Sequence, residues 1–335
     1  MPDTAVGNSN GAGTMKQTTF ASVAWDRKGK VTRRERFLAE MNAVIPWQPI
    51  LDLIEPHYPK AGNGTQPMPL ERMLRIHFMQ HWFNLSDPAM EDSLYDSESM
   101  RRFARIELAD DKVPDETTIL RFRHLLEQHG LSQQIFAKVG ALLDHKRLLL
   151  KSGTIVDATI IEAPPSTKNA DKARDPEMHQ TRKGKNWHFG MKAHVGTDQR
   201  GIVHSLTTTP ANAADISQLP TLLHGQESEL FGDQAYWSEF HRQCAKVSGI
   251  RYRVNRRGTR TKPLTEHQKF INRIRSSSRA RGEHAFRVVK RLWGFTKVRY
   301  RGLAKNTARL FTAFALSNLY MLRRRLISPQ GTCVW

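Results

Sequence analysis

The first half of the chain has the apolar spacing of α-helices. In one stretch an apolar residue recurs at every fourth position, as Leu70, Leu74, Phe78 and Trp82. Because one helical turn takes about 3.6 residues, this spacing places the four side chains on one face. A second helical pattern follows Asp115, a residue type suited to cap a helix, and further helical spacing continues to about residue 145. The sequence therefore predicts an all-helical region.

The pattern changes after Gly153. Residues 154–161 form an apolar run rich in β-branched side chains, and residues 187–195 and 201–208 give two further strand candidates. Residues 164–186 contain almost no apolar side chains and predict a long loop. Strand and helix patterns then alternate to residue 254, and two long helices are predicted over 270–293 and 303–326. The boundary between a helical domain and an α/β domain is expected near residue 150.

The two ends of the chain differ from the rest. Residues 1–30 are rich in Gly, Asn, Ser and Thr and lack apolar periodicity, so they predict a flexible leader. Residues 327–335 form a short tail. A run of about 18 apolar residues and a signal-peptide pattern are both missing from the sequence, which favours a cytoplasmic location. The two cysteines, Cys244 and Cys333, are too few for a disulfide framework or a cysteine-based zinc site.

Positive charge is concentrated in one part of the chain. The sequence has 52 Lys and Arg against 32 Asp and Glu, for a formal net charge of +20. Residues 251–301 alone contain 17 of the basic residues and 2 acidic ones. Such a cluster gains most by displacing the counterions that surround a phosphate backbone. Nucleic acid is therefore the expected partner.

Glu283 is the only acidic residue between His267 and the C-terminus. A carboxylate that faces phosphate is repelled unless a cation lies between them, so Glu283 raises the possibility of a bound metal ion. The alternative is a solvated surface glutamate paired with Arg279 or Arg287, each four residues away. The two interpretations remain open on this residue alone.

Two aspartates in the second half are candidates for the same site. Asp157 lies inside an apolar strand, where a carboxylate is costly unless it is paired or binds a metal ion. Asp233 directly follows a strand and a glycine, at the kind of strand end where α/β sites gather. The alternatives are an edge-strand aspartate that points to water, for Asp157, and a helix cap, for Asp233.

Helix geometry suggests how Glu283 reaches these aspartates. At about 100° per residue, Arg279, Glu283 and Lys290 fall within about 40° of one another. An apolar stripe lies roughly 70° away and consists of Gly282, Phe286, Val289 and Trp293. A helix packed on a sheet through this stripe would hold Glu283 near the two strands. Three carboxylates placed together suit a pair of Mg²⁺ ions, with Mn²⁺ as a substitute, and phosphodiester cleavage and transfer.

Four motifs occur in a characteristic order along the chain. They are Val-Asp157-Ala-Thr-Ile-Ile-Glu-Ala-Pro, Lys-Asn-Trp187-His188-Phe-Gly-Met-Lys192-Ala-His194-Val-Gly, Gly-Asp233-Gln-Ala-Tyr and Arg279-x₃-Glu283-x₆-Lys290. In this order they make the chain resemble the DDE transposases of the insertion-sequence-five family, from about residue 35 to about residue 325. The family pattern has a tyrosine three positions before Arg279, where this chain has Ser276. The resemblance therefore leaves no counterpart for that aromatic side chain.

The resemblance implies a fold, an activity and a set of site residues. It implies a helical N-terminal domain for DNA binding or dimerisation over 31–150 and a ribonuclease-H-like catalytic domain, a mixed β-sheet flanked by helices, over 151–326. It implies Mg²⁺ held by Asp157, Asp233 and Glu283. The expected activity is cleavage of DNA 3′ ends at terminal inverted repeats and transfer of the 3′-hydroxyls to target DNA, by a homodimer or larger assembly. It implies DNA contact by Arg279 and Lys290. Apart from the resemblance, the positive charges of Lys192, Arg287, Lys183 and Lys185 make them expected DNA contacts as well, and for the three lysines a solvated basic loop and strand is the alternative.

Several alternatives stay open from the sequence. His188 and His194 have no cysteine partner, so structure or DNA contact is favoured over zinc. Tyr236 and Trp237 suit either base stacking or the core. A plain nuclease of the same fold would cut DNA without joining it, and a catalytically inactive relative would act as a DNA-binding regulator. An RNA-binding module is disfavoured because the sequence lacks a Gly-x-x-Gly clamp and a stacked-aromatic motif.

Overall fold

A computed structural model describes residues 25, 27–63, 66–168 and 172–328. Most of the predicted flexible leader and all but the first two residues of the predicted C-terminal tail lie outside the described residues. None of the helices in the described part of the chain combines the length and the apolarity needed to cross a lipid bilayer.

The first half of the described chain is helical, as its apolar spacing predicts. Its helices are α1 (Arg33–Val44), α2 (Trp47–Ile54), α3 (Leu70–Phe83), α4 (Asp87–Asp96), α5 (Glu98–Ala104), α6 (Glu116–Gln128) and α7 (Leu131–His145). Asp115 caps α6, since its carboxylate accepts a hydrogen bond from the N–H of Thr118. In α3 every residue from Met73 to Trp82 is buried. This helix therefore lies at the centre of the helical half and not at its surface.

Six strands form one mixed sheet in the second half. They are β1 (Gly153–Glu162), β2 (His179–Lys183), β3 (Asn186–Thr197), β4 (Val203–Pro210), β5 (Glu229–Gly232) and β6 (Arg251–Val254). The order is β2-β3-β1-β5-β6, and β4 also pairs with β3. The pairs β1–β5 and β5–β6 are parallel, whereas β3 is antiparallel to β1, β2 and β4. This mixed sheet with flanking helices confirms the ribonuclease-H-like fold.

Further helices connect and cover the strands. They are α8 (Leu219–Leu222), α9 (Glu239–Val247), α10 (Glu266–Arg279), α11 (Glu283–Phe286) and α12 (Leu303–Ile327). A 3₁₀ turn over Ala280–Gly282 joins α10 to α11, and a π-helical segment over Arg287–Leu292 follows α11. The prediction of one regular helix over 270–293 was therefore wrong in detail. The segment is helical throughout, but three kinds of helical turn succeed one another.

The prediction of an unbroken loop over 164–186 was also wrong, because β2 lies within it. β2 pairs with the start of β3, and Gly184 occupies the turn with a φ of +63°. All five residues of β2 are exposed or half-buried. A strand at the margin of a sheet with no buried face has no alternation of apolar and polar positions, so its sequence resembles that of a loop.

One apolar core runs through both halves of the chain. It extends from Leu38 in α1 to Leu322 in α12. The side chain of Asn318 in α12 is buried, accepts a hydrogen bond from the Val203 N–H at 2.9 Å and donates one to the Val203 carbonyl at 2.7 Å. Because both amide groups are satisfied, this residue fixes α12 to β4 without the cost of an unpaired buried polar group. Residue 150 lies between α7 and β1, and a separate domain on each side of it stays a prediction.

The 3₁₀ turn packs so closely against β1 that a substitution can test the contact. A Cβ atom on Gly282 would lie 2.8 Å from Cγ2 of Ile155, whereas a Cβ atom on Gly140 in α7 would meet nothing within 4 Å. We predict that Gly282→Ala lowers the free energy of unfolding by about 1–3 kcal/mol because the helical segment must move away from the strand. Gly140→Ala is the control and should raise it by up to about 1 kcal/mol through helix propensity. Urea unfolding of both variants measures this, and equal stability would contradict the close approach.

Candidate active site

A cleft of about 850 Å³ lies where β1, the end of β5 and the helical segment after α10 meet. Its carboxylates are Asp157, Asp215, Asp233 and Glu283. Its basic residues are Arg182, Lys183, Lys192, Arg279, His284, Arg287, Lys290 and Arg291. The cleft thus combines a small group of acids with a larger number of cations around them.

The parallel pairing of β1 and β5 brings Asp157 and Asp233 to the same level. Ile155 pairs with Phe231 in the described register. Continuing this register by two residues places Asp157 opposite Asp233, and neighbouring strands are about 4.8 Å apart. β1 has a partner strand on each side, so Asp157 is not the edge-strand residue of the alternative interpretation. Asp233 does act as a cap, because its Oδ1 accepts the Ala235 N–H at 2.8 Å.

Glu283 comes from the helical segment that packs on this side of the sheet. Gly282, Phe286 and Val289 are buried, in agreement with the apolar stripe in the sequence. The Glu283 side chain is 59% exposed, whereas that of Asp157 is 15% exposed. The segment therefore buries its apolar stripe and presents the Glu283 carboxylate to the cleft.

Burial and neighbouring charge both act on Asp157. The pKa of its carboxyl is raised to about 6, chiefly by burial and to a smaller extent by the negative charges of Asp233 and Glu283. The Arg279 guanidinium and the Ala158 N–H, which donates to Asp157 Oδ1 at 2.9 Å, act in the opposite direction on this pKa. Asp157 is therefore close enough to Asp233 and Glu283 to be repelled by both, and additional positive charge in the cleft would relieve this repulsion.

Arg279 supplies part of that positive charge. Its guanidinium lies 3.6 Å from Asp157 Oδ2 and 3.7 Å from Glu283 Oε1. Within the described residues, no three His, Cys, Asp or Glu side chains are grouped tightly enough to hold a metal ion in their present positions. The donor types nevertheless suit Mg²⁺, which prefers carboxylate oxygens. A divalent cation would take over charge compensation that Arg279 now provides.

Lys290 extends from the π-helical segment back to β1. Its ammonium group donates to Thr159 Oγ1 at 3.1 Å and to the Ile160 carbonyl at 2.8 Å. Burial lowers the pKa of Lys290, and the nearby charge of Lys183 lowers it further. The π-helical segment has a wider turn than an α-helix. Its hydrogen bond from the Trp293 N–H reaches the Val288 carbonyl, five residues earlier, at 3.0 Å. Turns of this kind are often found at functional sites.

The other predicted DNA contacts have different surroundings. Lys183 and Arg287 are exposed and line the cleft, while Lys185 is exposed but does not line it. Lys192 donates to Asp215 Oδ1 and to the Ala213 carbonyl, each at 2.8 Å. Its charge is thus largely compensated by Asp215, which makes it a weaker candidate for phosphate contact than the other lysines.

Sequence reasoning missed Asp215 as a site residue. It lines the cleft and pairs with Lys192, and its Oδ1 lies 3.8 Å from His194 Nδ1. In the sequence it is only the first residue of a helical turn. The pairing with Lys192 spans 23 residues and arises because β3 and the segment after β4 meet at the cleft. No local spacing encodes that meeting, so only the fold reveals it.

The histidines and aromatic residues near the motifs have structural partners. His188 Nδ1 lies 3.0 Å from Glu162 Oε1, and the buried His194 places Nε2 2.8 Å from Thr209 Oγ1. Tyr236 is buried in the core, while Trp237 packs against Tyr252 with 5.6 Å between ring centroids. These contacts favour the core interpretation for both aromatic residues. Ser276, at the position of the family tyrosine, accepts a hydrogen bond from the Asn255 side chain at 2.9 Å.

The raised pKa of Asp157 gives a testable effect on stability. Its ordinary pKa is 3.8, so between about pH 4 and pH 6 the folded state binds this proton more tightly than the unfolded chain, and stability falls as the pH rises. We predict that Asp157→Asn, which stays neutral, is more stable than the wild type at pH 8 by about 2–3 kcal/mol in metal-free buffer. Thermal unfolding from pH 3.5 to pH 8 tests this. The difference should shrink below about pH 4, and a destabilised variant at pH 8 would contradict it.

Comparison with known protein families agrees with this geometry. The family model described as Transposase DDE domain matches residues 149–319, just over half of the chain. A second model, described as Transposase domain (DUF772), matches residues 26–125 in the helical half. The two matches in this order are consistent with an insertion-sequence-five type of enzyme. The first match contains the sheet, the cleft and all three predicted carboxylates, and the chain therefore belongs to the DDE transposase family.

Proposed function

We propose that this transposase cleaves DNA at the 3′ ends of its element and joins the resulting 3′-hydroxyls to target DNA. The observation that carries the proposal is the meeting of Asp157, Asp233 and Glu283 at one basic cleft. Phosphodiester chemistry needs positive charge to bind the substrate and a site for charge that develops on oxygen. The cleft offers both.

We assign the three carboxylates to the binding of Mg²⁺, for which Mn²⁺ would substitute. When bound, the metal ion would supply Lewis-acid chemistry for the attacking and the leaving oxygen. Asp157 lies in β1, and Asp233 directly follows the neighbouring strand β5. Glu283 contributes from the helical segment, so its position depends on how closely Gly282 packs against β1.

The cations of the cleft hold the substrate in this proposal. Arg279 lies between Asp157 and Glu283, and its guanidinium would be free to contact a phosphate if a metal ion compensated these two carboxylates. Lys290 is held by Thr159 and the Ile160 carbonyl, and so presents a fixed positive charge to the DNA backbone. Lys183 and Arg287 extend the contact at the mouth of the cleft. Lys185 does not line the cleft and Lys192 is paired with Asp215, so both are weaker candidates for phosphate contact.

The proposed reaction also requires recognition of the element ends and more than one copy of the chain. The helical region over 31–150 would recognise the terminal inverted repeats or mediate dimerisation, and two element ends held together require at least two copies of the chain. These steps take place on chromosomal DNA, which agrees with the expected cytoplasmic location. A regulator without catalytic activity is disfavoured because the carboxylates that repel one another would serve no purpose in a protein that only binds DNA.

Removal of one carboxylate tests the cleavage step. We predict that Glu283→Gln reduces Mg²⁺-dependent 3′-end cleavage of DNA carrying the element's flanking repeats by at least about 100-fold, since one metal ligand is lost. The control is Glu266→Gln, because Glu266 is a highly exposed acid at the start of α10. Binding of Mn²⁺ in the absence of DNA, followed by isothermal titration, should weaken only in Glu283→Gln. Equal cleavage by both variants would overturn the assignment.

A substrate with a pre-cut 3′ end separates transposition from simple nuclease activity. We expect the wild type to join this end to a target duplex and Asp233→Asn to lose joining and cleavage together, because one site performs both reactions. The products are resolved on a denaturing gel. A wild type that cleaves but never joins would favour the plain nuclease.

A further inference from the structure

The helical segment 283–292 has the catalytic cleft on one side and a second concave surface on the other. This cavity, of about 740 Å³, is formed by the turn between β3 and β4, the helical segment and the last turns of α12. We call it the arginine groove. Its basic residues are Arg200, His284, Arg287, Arg291, Arg323 and Arg325. No acidic residue is among the described residues that line it.

Most of the arginine charge in the groove is uncompensated. Arg323 is paired with Glu40 at 2.7 Å. Arg287, Arg291 and Arg325 are exposed and form no ion pair with any of the described residues. Arg200 is also exposed and donates a long hydrogen bond of 3.5 Å to the Leu148 carbonyl. Guanidinium groups held near one another without a carboxylate repel, so the groove is suited to an anionic partner.

The floor of the groove is apolar. Ile202, Val288 and Leu322 are buried there beneath the arginines. Long arginine side chains lay their aliphatic stems on such a floor and present their charged ends at the rim. This arrangement orders several guanidinium groups along one surface, where they match the repeated phosphates of a nucleic acid strand.

The groove is continuous with the catalytic cleft. His284, Arg287 and Arg291 line both cavities, and they form the crest that separates them. A DNA strand that leaves the cleft over this crest meets the arginine groove next. An acidic protein segment would match the charge of the groove, but it would have no reason to continue into the catalytic site.

We propose that the arginine groove binds the phosphate backbone of the substrate duplex on one side of the bond that is cut. This inference rests on the proposed function, because it assumes that DNA occupies the catalytic cleft. It adds a second contact surface, formed by Arg200 and Arg325, which lie outside the cleft. The surface would fix the direction in which the duplex leaves the active site.

The salt dependence of DNA binding tests the proposal. The variant is Arg200→Ala/Arg325→Ala, because both side chains line only the groove and both are exposed. Binding of a labelled duplex of about 40 base pairs, roughly 140 Å long at 3.4 Å per pair, is measured from low to high KCl. The slope of log affinity against log salt should become less steep by about 2, one for each lost phosphate contact. Hydroxyl-radical footprints should shorten on one side of the cleavage position only.

Arg324→Ala is the matched control, since Arg324 is exposed on α12 beside Arg325 but does not line the groove. It should leave the slope and the footprint unchanged, and thermal unfolding should show that all variants are folded. The single variant Arg325→Ala is measured beside it, and a slope that changes as much in Arg324→Ala as in Arg325→Ala would overturn the proposal in favour of diffuse attraction. An unchanged slope in the double variant, with wild-type DNA binding intact, would also overturn it. If the double variant instead loses self-association in sedimentation, the groove is an interface between copies of the chain.

Loss of the groove contact is distinguishable from failure of the proposed function. The proposed function fails if the wild type neither binds nor cleaves DNA. The inference about the groove fails if the wild type binds and cleaves DNA while the double variant matches it in slope and footprint.

Discussion

The burial of a negative charge at Asp157 is the constraint on which the site depends. Asp157 lies in a central strand with a partner on each side, and burial raises its pKa to about 6. Such a position is costly unless positive charge compensates it. Arg279 supplies that charge, at 3.6 Å from Asp157 Oδ2. The protein with an ionised Asp157 is therefore less stable than a protein with a neutral residue at this position would be. Such a loss of stability is common at functional sites, where activity and not stability determines the residue type.

The helical segment after α10 packs on the sheet next to Asp157 and brings further charged side chains to the cleft. Its 3₁₀ turn brings Gly282 against Ile155, and the carboxylate of the next residue then reaches the cleft. Its π-helical segment lets Lys290 bond to β1 while Arg287 and Arg291 remain exposed at the crest. One segment thus lines the candidate active-site cleft on one side and the arginine groove on the other. An ideal α-helix would place these side chains at different angles.

Local pattern predicted much of the fold. Helical spacing identified α3, β-branched and apolar runs identified β1, β3 and β4, and residue type identified the cap at Asp115. The same reasoning failed for β2, which buries no face, and for the regularity of the segment over 270–293. The order of the motifs indicated the family, and the burial of the apolar stripe agrees with the predicted packing of the segment that carries Glu283. The catalytic roles of the three carboxylates remain predictions.

The sequence by itself determined the helical and strand-forming segments, the concentration of positive charge and the identity of the candidate acids. These properties depend on residue type and on spacing within a few turns. The tertiary structure alone decided that Asp215 pairs with Lys192, that Arg279 reaches Asp157, and that Arg200 and Arg325 face the same groove. Each of these contacts joins residues far apart in the chain, through the sheet register and the packing of helices. Charge interactions depend on distance in space, which residue order does not specify.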